Sequence, residues 1–491
     1  MTLKTSTLAL TGAKWVALGS LSQKLLRMLL IVFLARLLTP DDFGLIAAAS
    51  LVLALAGRLK QLGFHGALLQ RRTDLEEAAN AYFYLNTGLV VLTFAAILAA
   101  SPLSVWFFND DRVALIINII AIRLLAEAAG AVQRSLTVRD LDFKRLTFIQ
   151  LAESAVFTGV AVSLAATGFG VWALVWGMVI GAVFAAVLWW ATTPWRPTRA
   201  WSWPVARQMF RFGADLWSVS NLSYLNESAS RFFIGRFLGV VPLGYFEFTN
   251  RVVSGPTGTL VEISNRVALP AFCREQEDLE RFGQWYLKMT GYICLITAPL
   301  AATLVLLGDV AIPVVFGPQW LSTIPLVQVL APFVFMSPLV YAWPVFVSTG
   351  RSKVLMGFTI LRFFVTVPLL FLAAQKSLIA VCIVESLAIS LLAPVNLYLV
   401  TRAITVRAID LLKILGQPLL GAGAFALTVV ATRALIGDSF PEPGFLSLTV
   451  FFVPGALAYL GAISLMRPGL IPELVRMVAV SLGLRVETDQ S

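Results

Sequence analysis

Fourteen runs of mostly apolar residues follow one another along this chain, each about 20 residues long, the length a helix needs to cross the hydrocarbon of a bilayer. They lie near 14–37, 43–62, 80–100, 113–133, 146–167 and 170–191, then near 209–238, 243–268, 285–307, 323–348, 353–373, 377–401, 411–436 and 445–466. In lipid each backbone polar group must be satisfied within the segment, so such runs become helices. Composition agrees: 58% of the 491 residues are hydrophobic and 13% charged, against about 25% charged in soluble domains. The expected fold is an all-α integral membrane protein with about fourteen spanning helices. The first run carries Lys24 and Arg27 and lacks a cleavage site, so it reads as a membrane helix and not as a signal peptide.

The connections alternate in charge. One set holds most of the 37 basic residues, in groups such as Arg71 and Arg72, Arg134 to Arg145, and Arg196 to Arg211. The other set is short and holds Arg36, Arg112, Arg236, Lys376 and Arg433. The positive-inside rule then puts both termini in the cytoplasm. The net charge of +10 belongs to those basic loops, so no nucleic-acid partner is expected. A short amphipathic stretch near 471–484 is expected to lie on the membrane surface.

The same composition excludes much chemistry. His65 is the single histidine, and Cys273, Cys294 and Cys382 form no metal-binding pair. There is no phosphate-cradling GxxxxGK[ST] run, no GxSxG and no HExxH. The expectation is a non-enzyme without cofactor or metal, driven by a gradient or a downstream sink.

The chain also repeats. FLARLLTPDDFG (Phe33–Gly44) aligns with FIGRFLGVVPLG (Phe233–Gly244) at an offset of 200, matching Phe33/Phe233, Arg36/Arg236, Leu38/Leu238 and Gly44/Gly244. Asp74-Leu75-Glu76 recurs as Asp278-Leu279-Glu280. Six helices separate the copies, so they face the same way. Two parallel six-helix lobes around a central path follow: an N-lobe at 1–200, a C-lobe at 201–407, two additional helices at 408–466 and a cytoplasmic tail at 467–491.

Charges within the spans are expensive and mark candidate sites. Ser20, Gln23, Lys24 and Arg27 share one face of helix 1. Helix 7 carries Asn226, Glu227, Ser230 and Arg231; helix 8 carries Glu247 and Arg251, followed by Ser254, Gly255 and Pro256, which suggests a broken helix beside a cavity. Glu227–Arg231 and Glu247–Arg251 have the spacing of in-helix ion pairs, as do Arg123–Glu127 in helix 4. Arg362 needs a partner, and Glu385 matches it in depth. The candidate substrate-binding residues are Lys24, Arg27, Arg251, Arg231 and Arg123, with Glu227, Glu247 and Glu127 as counter-ions. This basic surplus suits an anion, and phosphate fits the guanidinium fork. Arg36 and Arg236 read as structural, Asp41 and Asp42 as the start of helix 2, and Trp189 and Trp190 as interfacial anchors.

The arginine-bearing first helix, FLARLLTPDDFGLIAAASLV, LGFHGALLQRRTDLEE and RFFIGRFLGVVPLGYFEFTNRV resemble the polysaccharide transporter family. These are the bacterial oligosaccharide flippases of the multidrug/oligosaccharidyl-lipid/polysaccharide exporter superfamily. The likeness covers most of residues 10–400. It implies an alternating-access flippase of the bacterial inner membrane. The substrate would be an undecaprenyl-pyrophosphate-linked oligosaccharide bound for O-antigen, capsule or exopolysaccharide, with a polysaccharide polymerase and chain-length proteins as partners. Related lipid II flippases hold the pyrophosphate with basic residues on the first and eighth helices, which match Lys24, Arg27 and Arg251. The alternatives are a cation-coupled drug antiporter on the same scaffold, which would need an acidic cavity, and a membrane glycosyltransferase or polymerase using Asp41 and Asp42, for which no large external loop exists.

Overall fold

The computed structural model describes residues 19, 22–24, 26, 28–60, 64–71, 74–199, 202–274, 279–340, 343–440 and 442–469. All their regular structure is helical. Helix α1 runs through 28–37. It is followed by α2 (Pro40–Lys60), α3 (Phe64–Gln70), α4 (Leu75–Phe108), α5 (Arg112–Ala129), α6 (Ala131–Arg139), α7 (Phe143–Ala166) and α8 (Val171–Thr192). Next come α9 (Trp203–Phe237), α10 (Val240–Arg274), α11 (Leu279–Phe316), α12 (Ile324–Val340), α13 (Trp343–Ser348), α14 (Ser352–Ala374), α15 (Leu378–Ala403), α16 (Ala408–Ile436) and α17 (Phe445–Met466).

Where their residues are described, the expected apolar runs are helical. Among the described residues ten helices are long and apolar enough to span a membrane, and an eleventh span forms if α5 and α6, bent by 42° at Gly130, count together. The long helices α9 and α10 are not among them. Glu227, Arg231, Glu247 and Arg251, the candidate site residues, make these two helices more polar than those spans. The structure supports an all-α integral membrane protein.

The helix break between α1 and α2 at Leu38–Thr39 recurs between α9 and α10 at Leu238–Gly239, the offset of the sequence repeat. Thr39 closes its own turn: its backbone N–H and its hydroxyl both donate to Asp42 Oδ2, at 2.9 and 2.8 Å. Gly239 makes the equivalent turn with φ of 92°, a left-handed conformation suited to glycine.

By internal packing the chain forms two compact units. The first holds Met1–Phe248 with Thr359–Val381, the second Thr249–Phe358 with Cys382–Ser491. In the first, α5 packs on α2, α4 and α8, and α7 pairs with α8. A core of Phe64, Leu68, Tyr82, Val132, Leu136, Val205 and Ala206 ties α3, α4, α6 and α9 together. His65 adds a hydrogen bond to Ser135 of α6, Nδ1 to Oγ 2.7 Å. In the second unit α11 is the central post. Phe425 and Val429 of α16 and Phe451, Tyr459 and Ile463 of α17 close on its Leu307. The Tyr459 hydroxyl donates to the Leu295 carbonyl at 2.6 Å, and Arg433 Nη2 reaches Asp309 Oδ1 at 2.8 Å. The last two helices are thus integral to this unit. The surface stretch near 471–484 lies outside the described residues.

Candidate functional site

The charged residues of α9 and α10 are brought together by the tight turn at Leu238–Gly239. Arg231 Nε donates to Glu247 Oε1 across the two helices, and Arg231 Nη1 donates to the Glu227 backbone carbonyl at 3.0 Å. The expected in-helix ion pairing is therefore corrected for Arg231. Its guanidinium turns to the following helix, because the turn places that carboxylate nearer than one on its own face. Glu247 is buried and Arg231 half-buried, which strengthens their attraction relative to an exposed pair. Ser230 and Thr249 are buried nearby in sequence. Asn226 is buried too, and its Oδ1 has no hydrogen-bond partner. A buried unpaired carbonyl of this kind is costly unless something visits it.

Arg251 lies one turn beyond Glu247 and is exposed. Beyond it the expected helix break is absent. α10 continues through Gly255 and Pro256 to Arg274. Ser254 Oγ donates to Asn250 Oδ1 at 2.7 Å, and Thr257 Oγ1 to the Ser254 carbonyl at 3.1 Å. Membrane helices tolerate glycine and proline, and here Gly-Pro does not end the helix.

On α1, Lys24 is half-buried. Its neighbour Gln23 donates to Gln150 Oε1 of α7 at 3.4 Å, so part of the polar stripe packs against another helix. Arg27 and Ser20 lie outside the described residues. Arg123 and Glu127 form the expected i,i+4 pair, Nε to Oε1 2.7 Å, with both side chains exposed. Arg362 belongs to the first unit and Glu385 to the second.

Arg112, Arg236 and Arg433 of the short connections are all engaged. Arg112 grips Asp41 with both Nη atoms, at 2.6 and 3.0 Å, and reaches Asp110 at 2.7 Å. The hydrogen bond that Arg112 donates holds the Asp110 carboxyl below its ordinary pKa. Arg236 stacks on the Trp106 ring at 4.5 Å, a structural role. Arg433 is held by Asp309. Asp42 starts α2 as expected, whereas Asp41 also ties α2 to α5.

Sequence reasoning missed two features. Phe107 of α4, Phe232, Phe233 and Phe237 of α9 and Phe371 of α14 form a ladder of ring contacts, centroids 4.6 to 6.4 Å apart. Phenylalanine is so common here that only its clustering near the α9 terminus could have signalled it. The second is the crossing of α2 and α10 at the repeat glycines. A Cβ on Gly44 would meet the Val240 carbonyl oxygen at 2.0 Å, and one on Gly244 that of Pro40 at 1.9 Å. The aligned pair was visible in the sequence; its mutual contact was not. Trp189 is corrected from anchor to core. It is buried with Ile149 and Ala185 and packs beneath Gly130. Cys294 and Cys382 are buried. Among the described residues no group of three or more His, Cys, Asp or Glu could hold a metal.

Residues 33–325 match the family described as polysaccharide biosynthesis protein. The succinoglycan biosynthesis transport protein ExoT of Rhizobium meliloti is 24% identical over 94% of both chains. The lipopolysaccharide biosynthesis protein WzxC of Escherichia coli is 26% identical over 65% of this chain and 66% of its own. The teichuronic acid biosynthesis protein TuaB of Bacillus subtilis is 25% identical over 66% and 67%. Among solved structures, the lipid II flippase MurJ in an inward closed conformation aligns over 93% of this chain and 99% of its own, with TM-score 0.73 and 12% identity. An inward-facing multidrug resistance MATE transporter of the MOP superfamily covers 78% and 94%, with TM-score 0.60 and 15% identity. Such low identities establish the shared fold. The matched span exceeds half the chain, and the chain, a multi-pass helical membrane protein, belongs to the polysaccharide biosynthesis protein family.

Proposed function

We propose that this protein flips an undecaprenyl-pyrophosphate-linked oligosaccharide from the cytoplasmic to the outer leaflet of the bacterial inner membrane, for O-antigen, capsule or exopolysaccharide assembly. The single observation that carries the reading is the ionic cluster on α9 and α10. Arg231 is neutralised by Glu247, while Arg251 follows one turn later, in a family whose relatives serve polysaccharide biosynthesis. Arg251, with Lys24 and Arg27 of the first helix, holds the pyrophosphate. Arg123 is a further cation. Glu227, Glu247 and Glu127 act as internal counter-ions that keep the empty site charged but not collapsed. The Asn226 carbonyl oxygen offers an acceptor for a sugar hydroxyl. Both termini are cytoplasmic, and access alternates between the two leaflets.

The driving force follows from the charge moved. An inside-negative potential favours outward passage of the anionic headgroup by roughly 2.3 kcal/mol per charge per 100 mV. The return of the empty basic site opposes part of this. The test is glycan export in cells carrying Arg251→Ala at normal membrane abundance. Loss of export with accumulation of the lipid-linked precursor inside supports the reading, and wild-type export refutes it.

A further inference from the structure

An open groove of about 660 Å³ runs between α5 and α8, lined by Ile122, Leu125, Ala126, Val183, Ala186, Val187, Trp190 and Ala191. Every lining side chain is apolar apart from the indole nitrogen of Trp190. The residues occupy the last turns of two parallel helices, so the groove ends where α8 leaves the apolar layer. From Val183 to Ala191 it extends ~12 Å along the helix axis, close to the ~15 Å of one leaflet's hydrocarbon.

Its mouth is rigid. Trp190 Nε1 donates to the Ala129 carbonyl at 2.8 Å, which fixes the ring at the α5–α6 bend. The exposed Arg196 lies over that ring, 5.3 Å from its centroid. Its Nη1 donates to the Thr193 and Trp195 carbonyls at 2.6 and 2.8 Å, and its Nη2 to the Trp190 carbonyl at 2.8 Å. Three of the five guanidinium N–H donors therefore hold the group at the groove mouth, and two are left for an acceptor outside. A cation so fixed loses little side-chain entropy on binding and offers the fork geometry that suits phosphate.

We propose that this groove binds one acyl chain of an anionic glycerophospholipid, with Arg196 on its phosphate. The length matches a single chain in a single leaflet, and the cation sits at headgroup level. The site is separate from the charged residues of α9 and α10 and does not depend on the transported substrate.

The test uses the full-length protein in mild detergent with two probes carrying a photoreactive acyl chain, anionic phosphatidylglycerol and a diacylglycerol that lacks the phosphate. The expected result is labelling concentrated on the peptides containing Ile122–Ala126 and Val183–Ala191, about tenfold stronger for the anionic probe, the size of one charge-assisted contact. Ala186→Phe, which fills the groove from its open side, should abolish that labelling while leaving other spans labelled as before. Arg196→Gln should remove the headgroup preference and leave chain labelling. Labelling spread evenly over all spans, or unchanged by Ala186→Phe, would mean annular lipid only and overturn the site. A headgroup preference that survives Arg196→Gln would overturn the role of that arginine. Because the readout is lipid labelling and not export, a failure here is distinct from a failure of the flippase reading.

Discussion

Gly44 and Gly244, 200 residues apart, face each other across the first turns of α2 and α10, each pressed on the backbone carbonyl that opens the other's helix. The contact has the local symmetry of the repeat, since Pro40 and Val240 are themselves offset by 200. Backbone atoms cannot yield as a flexible side chain does, so a methyl group at either position must push the helices apart. Gly44→Ala and Gly244→Ala are each expected to cost at least the 1–3 kcal/mol typical of overpacking. Thermal unfolding of the purified variants measures it; an unchanged midpoint for both would show that the helices do not meet here.

The Arg231–Glu247 pair makes a prediction about coupling. Removing one partner leaves a half-buried charge uncompensated, so Arg231→Ala and Glu247→Ala should each destabilise by about 1–3 kcal/mol. The double variant should lose less than the sum of the two. Strict additivity in chemical or thermal unfolding would indicate that the two side chains act independently.

Arg251 is expected to matter for transport more than for folding, because it is exposed. Arg251→Ala should reduce glycan export by at least tenfold, roughly the weight of one charge-assisted contact, at normal membrane abundance. Arg251→Lys should recover part, as it keeps the charge and loses the fork. Full recovery by lysine would argue for a point-charge role alone. Arg27→Ala is expected to behave as Arg251→Ala does.

His65 gives a pH dependence whose sign is fixed. Desolvation first, and then the Arg134 charge, lower its pKa from 6.5, so the fold favours the neutral ring. The unfolded chain binds the proton more readily. Stability from this residue is complete above about pH 6.5 and declines as pH falls toward the lowered folded value. The unfolding midpoint should drop between about pH 7 and 5, and His65→Gln should flatten that slope. Export should be unaffected by this change or by replacement of the three cysteines.

The spans were legible because a bilayer demands a long apolar run and little else, and the break at Leu38–Thr39 and its repeat were legible because turn residues align there. Ion-pair partners were not. The i,i+4 rule examines one helix at a time, so it assigned Arg231 to Glu227 and could not see that a two-residue turn swings Glu247 closer. Gly255-Pro256 misled for a related reason, since soluble-protein rules treat that dipeptide as a stop, whereas the hydroxyls of Ser254 and Thr257 bond within α10. Trp189 and Trp190 are adjacent and equally aromatic. Only the crossing of α5, α7 and α8 decides that one is core and the other edges a groove.

Arg112, Arg236 and Arg433 each have their charge met by an aspartate or a tryptophan ring. On the proposed topology these three residues lie on the outer connections. Under the proposed flippase reading, a headgroup that has crossed would then meet neutralised arginines there, while the inner connections carry most of the basic residues. Capture would be favoured on one side and dissociation on the other. That asymmetry would act as a valve made of surface charge, lowering the chance that a delivered headgroup is drawn back.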